Sequence, residues 1–191
     1  VAILTGDLLF AKASQIVSRL GAKALTLQAD TFERLCLGQL HETLGPQEGQ
    51  DPIEHYLQVL ADKTGSLIAA SAEMGIIYGD APDEFREPLR IYGEKVGVAF
   101  QLIDDVIDIA SDASGKTPGT DLRAGVPTMP TLLLRKMAAT DPEAVELVAI
   151  IDSGLEDDAQ LAEVVRRLRA HKALEDAYQL AHYTCHLRTL G

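Results

Sequence analysis

Along most of the chain apolar residues recur at helical intervals, and no run alternates apolar with polar residues between hairpin dipeptides. Gly, Pro and Asp cut this pattern into blocks. The first spans residues 1–20 and stops at Gly21, and the second spans 22–44 and stops at Gly45. A third, 52–78, opens on Asp51-Pro52, and a fourth covers 84–110. Residues 111–127 break the periodicity with Ser, Asp, Gly and Pro, which predicts an irregular, functional loop. Shorter helices are predicted over 128–139, 142–153, 158–170 and 171–189. The 25 Ala and 27 Leu favour the same conformation. The expectation is one all-α domain over residues 1–191, its long helices joined by short turns into an antiparallel bundle. The chain opens with Val1 inside a helical pattern, so the domain is expected to be incomplete at its N-terminus.

One stretch of the fourth block departs from ordinary amphipathic patterning: Gln101-Leu102-Ile103-Asp104-Asp105-Val106-Ile107-Asp108. At about 100° per residue, with Asp104 at 0°, Asp108 falls near 40°, Gln101 near 60° and Asp105 near 100°. Val98, Ile109, Leu102, Val106, Ala99, Ile103, Ile107 and Phe100 fill the arc from about 120° to 320°, which predicts a mostly buried circumference. Gly97 falls near 20°, on the acidic seam, where it is expected to leave space beside the carboxylates. A solvated polar face is the ordinary reading of such a seam. Against it, no Lys or Arg stands at i+4 to pair the aspartates, and Asp is a poor helix former. Two carboxylates about 6 Å apart repel by roughly 3 kcal/mol at an effective dielectric near 20, so protons, open water or a cation must relieve them. A hard divalent ion such as Mg²⁺ suits these oxygens, and on spacing alone both readings stay open.

Composition narrows the function further. Seventeen Lys and Arg against 29 Asp and Glu give a net charge of -12 with no basic cluster, which argues against nucleic acid as a partner. The uncharged stretch 124–134 holds two prolines and is too short to span a bilayer, so no integral membrane segment is expected. Two cysteines, Cys36 and Cys185, form no disulfide framework and no thiolate zinc motif, which fits a cytoplasmic setting.

The pattern Gln-x-x-Asp-Asp-x-x-Asp at 101–108 resembles the second aspartate-rich motif of the trans-isoprenyl diphosphate synthases, the polyprenyl synthetase family. Other segments are similar in order and spacing. They are Thr5-Gly6-Asp7-Leu8-Leu9, Gly38-Gln39-x-x-Glu42, Lys63-Thr64, Gly115-Lys116, Gly119-Thr120-Asp121-Leu122 and Gly125-x-Pro127-Thr128-Met129-Pro130. The likeness covers residues 1 to about 135, and the helical remainder carries no diagnostic motif. It implies an isoprenoid-synthase-like helix bundle around a central apolar cavity. It also implies a Mg²⁺-dependent condensation of an allylic diphosphate with isopentenyl diphosphate to a linear all-trans polyprenyl diphosphate, by a homodimer. Asp104, Asp105 and Asp108 would then hold the metal. Lys63, Thr64 and Lys116 would act on the allylic diphosphate, Gln101 would orient a ligand or a metal-bound water, and Gln39 would face the allylic chain. The run 65–72 of small residues would let helices approach closely around that chain, although tight helix packing explains it equally well.

The resemblance also marks departures. The first aspartate-rich motif and the basic residues for isopentenyl diphosphate belong upstream of Thr5, and Val126 stands where many relatives have a second lysine. A non-catalytic or regulatory subunit of a heteromeric synthase is a second reading, which the intact Asp104, Asp105, Asp108, Lys63 and Lys116 oppose. A terpene cyclase is a third, and the segment 115–130 matches the chain-elongating enzymes better. Ser114-Gly115-Lys116-Thr117 is not a P-loop, since Ala110 stands where its first glycine belongs and a helix precedes it. His182 and His186 lie one turn apart with no third ligand evident beyond Cys185, which favours a packing or surface role. Glu156-Asp157-Asp158 sits where a helix should begin. Arg166, Arg167 and Arg169 are expected to pair with acidic neighbours.

Overall fold

A computed structural model describes residues 1–110 and 118–186, and among them there are helices and no strand. The chain is all-α. It divides into two compact units, one formed by residues 1–44 and 59–97 and the other by 45–58 and 98–191.

In the first unit α1 (Ala2–Val17) runs through a 3₁₀ turn, Ser18–Leu20, to Gly21 at φ 94°, and α2 (Ala22–Leu44) follows. The two helices meet through Phe10 and Phe32, whose ring centroids are 4.1 Å apart. The block predicted over 52–78 is not one regular helix. It comprises α3 (Pro52–Leu60), a π-helical turn at Ala61–Gly65 and α4 (Ser66–Tyr78). The π turn sits where glycines bring backbones together. A Cβ on Gly38 would lie 2.8 Å from Asp62 Cβ, and one on Gly97 would lie 2.6 Å from Gly65 Cα. Gly97 therefore does not leave open space, as the helical projection suggested, because the π turn fills it. Arg34 of α2 adds an ion pair to the buried Asp62 at 2.6 Å and a second to Glu94.

The second unit takes the start of α3, whose first turn is capped by Asp51 accepting from Ile53 N–H at 2.7 Å. It also takes the end of α5 (Arg86–Ala110), a helix that begins in the first unit. The loop expected over 111–127 contains a short helix, α6 (Thr120–Ala124), between Gly119 at φ 78° and Gly125 at φ 68°. Glycine adopts that left-handed geometry without strain, so two of the residues that suggested a loop are the caps of a helix within it. Residues 111–117 lie outside the described residues.

Beyond α6 come α7 (Met129–Met137), α8 (Pro142–Asp152), α9 (Asp158–Ala170) and α10 (Lys172–His186). α7 opens on a capping box between Thr128 and Thr131. Asp141 caps α8, and Asp157 of the acidic cluster caps α9 by accepting from Gln160 N–H at 3.1 Å. α7 packs on α8 and α10, and α9 on α8 and α10. Leu102, Ile109, Met129, Leu134, Leu147, Val164 and Leu168 form the core between them. Among the described residues no helix is long and apolar enough to cross a membrane.

Candidate active site

The acidic seam lies on the part of α5 that belongs to the second unit, and its positions differ in exposure. Asp104 is exposed, Gln101 and Asp108 are half-buried, and Asp105 is 6% exposed. The inward direction is set by Val98, Leu102, Val106 and Ile109, all buried. Asp105, near 100° on the helical projection, stands at the edge of that face and turns with it. The opposite edge is open: Phe100 and Ile107 are 62% and 42% exposed, so the buried arc is narrower than expected.

Asp105 Oδ2 accepts from the Tyr56 hydroxyl at 2.8 Å and from the Met129 backbone N–H at 3.0 Å. Burial pushes its carboxyl up to about 6. The hydrogen bonds from Met129 and Tyr56 oppose that rise, and the charges of Asp121 and Asp104 add to it. Asp108 is tied to the segment that returns toward α6. Its carbonyl accepts from Gly119 N–H at 2.8 Å, and its carboxylate accepts from Asp121 N–H at 3.3 Å. Arg169 of α9 donates to the Ile109 carbonyl at 2.7 Å, satisfying one of the open acceptors at the end of α5. Asp121 was not singled out from the sequence as a site residue. It sits in the first turn of α6, and its position after Gly119-Thr120 was the available signal.

In the first unit two motifs far apart in sequence meet. Lys63 Nζ donates to Glu42 Oε2 at 2.6 Å, and Gln39 Nε2 donates to the same oxygen at 2.8 Å. Lys63 and Thr64 are half-buried within the π turn, while Gln39 and Glu42 are exposed. Such five-residue turns are uncommon and concentrate at functional sites. The small-residue run serves two faces. Gly65 packs against Gly97 and Ala69 against Gly93, whereas Leu67, Ala70, Ser71 and Met74 line an apolar cavity of about 310 Å³ with Phe10 and Phe32. Lys116 lies outside the described residues.

Hard oxygen donors on an open helix edge suit a divalent ion, and among the described residues no three His, Cys, Asp or Glu side chains converge to cage one. That donor set fits Mg²⁺, which keeps several waters and is held through one or two carboxylates together with substrate phosphates.

Comparison with known proteins agrees with this architecture. Residues 1–168 match the polyprenyl synthetase family, and the chain belongs to it. It is 45% identical over 191 residues to nonaprenyl diphosphate synthase of Mycobacterium tuberculosis, covering 98% of this chain and 56% of that protein. It is 38% identical over 177 residues to a dimethylallyltranstransferase of the same organism, covering 92% and 53%. A geranylgeranyl pyrophosphate synthase structure from Corynebacterium glutamicum, complexed with calcium and isoprenyl diphosphate, superposes with a TM-score of 0.84 at 39% identity. That superposition covers 96% of this chain and 57% of the other. The chain thus spans about half the length of the relatives it matches.

Proposed function

We propose that the protein containing this chain is a Mg²⁺-dependent trans-prenyltransferase that joins an allylic diphosphate to isopentenyl diphosphate and releases a linear polyprenyl diphosphate. The observation that carries the reading is the acidic seam of α5, with Asp104 exposed and Asp108 fixed beside it through Gly119 and Asp121. In the reaction the allylic C–O bond breaks and the diphosphate leaves with the electron pair. The double bond of isopentenyl diphosphate attacks the resulting carbocation, and a proton is lost. Asp104 and Asp108 would hold a divalent ion, which would supply positive charge to the leaving diphosphate.

The chain's own residues contribute the rest. Lys63 offers a point charge to a diphosphate, held in register by Glu42 until the ligand competes for it. Thr64 adds a hydroxyl beside it. Lys116 has the same assignment by its motif, Gln101 orients a ligand or a metal-bound water one turn before Asp104, and Gln39 faces the allylic chain. Exposed apolar residues on α1 and α2, among them Leu4, Leu8, Ile16, Leu37 and Leu40, support assembly into a homodimer, and the free Cys36 and Cys185 support a cytoplasmic setting.

The test is incorporation of labelled isopentenyl diphosphate by the full-length protein with farnesyl diphosphate as primer. Elongation with Mg²⁺, its loss in EDTA and a sedimenting mass of twice the full-length polypeptide are expected. Metal-independent elongation, or none at all by the full-length dimer, would sink the reading.

A further inference from the structure

Asp105 belongs to the same motif as Asp104 and Asp108 but is used differently. Both of its hydrogen bonds converge on one atom, Oδ2, and reach two other helices, through the Tyr56 hydroxyl of α3 and the Met129 amide of α7. Met129 N–H is one of the donors that a helix leaves open in its first turn, and Met129 is fully buried, so its amide depends on Oδ2 for a partner. The neighbouring Thr128 N–H is already satisfied by Thr131 Oγ1 at 3.0 Å. Asp105 therefore anchors the start of α7 to the α5 turn from which Asp104 and Asp108 project.

We propose that Asp105 is a positioning residue and not a metal ligand: its Oδ2 fastens α3 and α7 to α5, which holds Asp104 and Asp108 in the orientation that binds a divalent ion. This rests on the reading of those two residues as ligands. The distinction is chemical. An anchor needs an acceptor oxygen at this spot, which an asparagine amide also supplies, whereas a ligand needs the carboxylate charge.

The experiment uses the full-length protein with Mn²⁺ and inorganic diphosphate as probes. Bound Mn²⁺ is read by electron paramagnetic resonance and thermal unfolding is followed in EDTA. Asp105→Asn is expected to bind Mn²⁺ within about threefold of wild type, short of the roughly 10- to 100-fold loss typical of a missing outer-shell partner. Asp105→Ala should show that loss and melt about 2–4 °C below Asp105→Asn in EDTA, with the Met129 amide left unpaired. Tyr56→Phe should weaken Mn²⁺ in the same direction by less.

If Asp105→Asn loses Mn²⁺ as completely as Asp105→Ala, the charge is what counts and the proposal falls. It falls equally if Asp105→Ala melts early yet binds Mn²⁺ like wild type. Should the alanine variant not fold, a tenfold loss in Asp105→Asn or an unchanged Tyr56→Phe overturns it alone. Asp104→Asn should lose Mn²⁺ without a lower melting temperature. Wild-type Mn²⁺ affinity in that variant would instead refute the metal reading, and the positioning role with it.

Discussion

At the residue scale, a buried carboxylate makes a definite prediction about pH. Asp105 titrates near 6 in the folded protein against an ordinary 3.8, so between those values the folded state binds more protons than the unfolded one. The stability this contributes is fully present below pH 4 and is lost as pH rises through 6. Replacing the carboxylate with an amide removes the dependence while keeping the acceptor. Asp105→Asn should therefore be about as stable as wild type near pH 4 and more stable by up to about 3 kcal/mol at pH 7.5, without metal. Denaturant unfolding in EDTA at the two pH values measures this, and a difference that stays flat or reverses would contradict the assigned environment.

The helical projection already held much of this. It set Asp105 about 100° from Asp104 and next to Val98 at about 120°, the edge of the apolar arc. What it could not supply was the identity of the donors, because Tyr56 and Met129 are 49 and 24 residues away in sequence.

At the element scale, the boundaries with local causes were legible. Asp51-Pro52, Asp141-Pro142 and Asp157 start helices because a side-chain oxygen meets open N–H groups of the first turn, a property of a few consecutive residues. The π turn at Ala61–Gly65 was not legible. It depends on Gly65 against Gly97, and on Arg34 reaching Asp62, contacts with no imprint on neighbouring residues.

Two glycines test that account. In the interior of a helix Gly→Ala ordinarily stabilises by about 0.5–1 kcal/mol. Gly75 has nothing within 4 Å of an added Cβ and should show that gain. At Gly97 the Cβ would meet Gly65 backbone at 2.6 Å. Overpacking costs about 1–3 kcal/mol and outweighs the gain, so Gly97→Ala should destabilise. Urea midpoints of the two variants on either side of wild type are the expected result. A stabilised Gly97→Ala would mean that the π turn is not held there.

At the scale of the whole molecule, family membership follows from a match over residues 1–168, and the all-α class from helix-forming composition and capping. The relatives named above include a nonaprenyl and a geranylgeranyl synthase, and the chain corresponds to about half of each. Steady-state kinetics of full-length Asp104→Asn test the acidic seam of α5 as the metal-holding element. If Asp104 helps bring positive charge to the departing diphosphate, kcat should fall by about 10²–10³, the range seen when one preorganised charge-stabilising contact is removed. The fall should appear at saturating allylic substrate and persist at high Mg²⁺. A kcat within about twofold of wild type, too small for any such contact, would contradict the account.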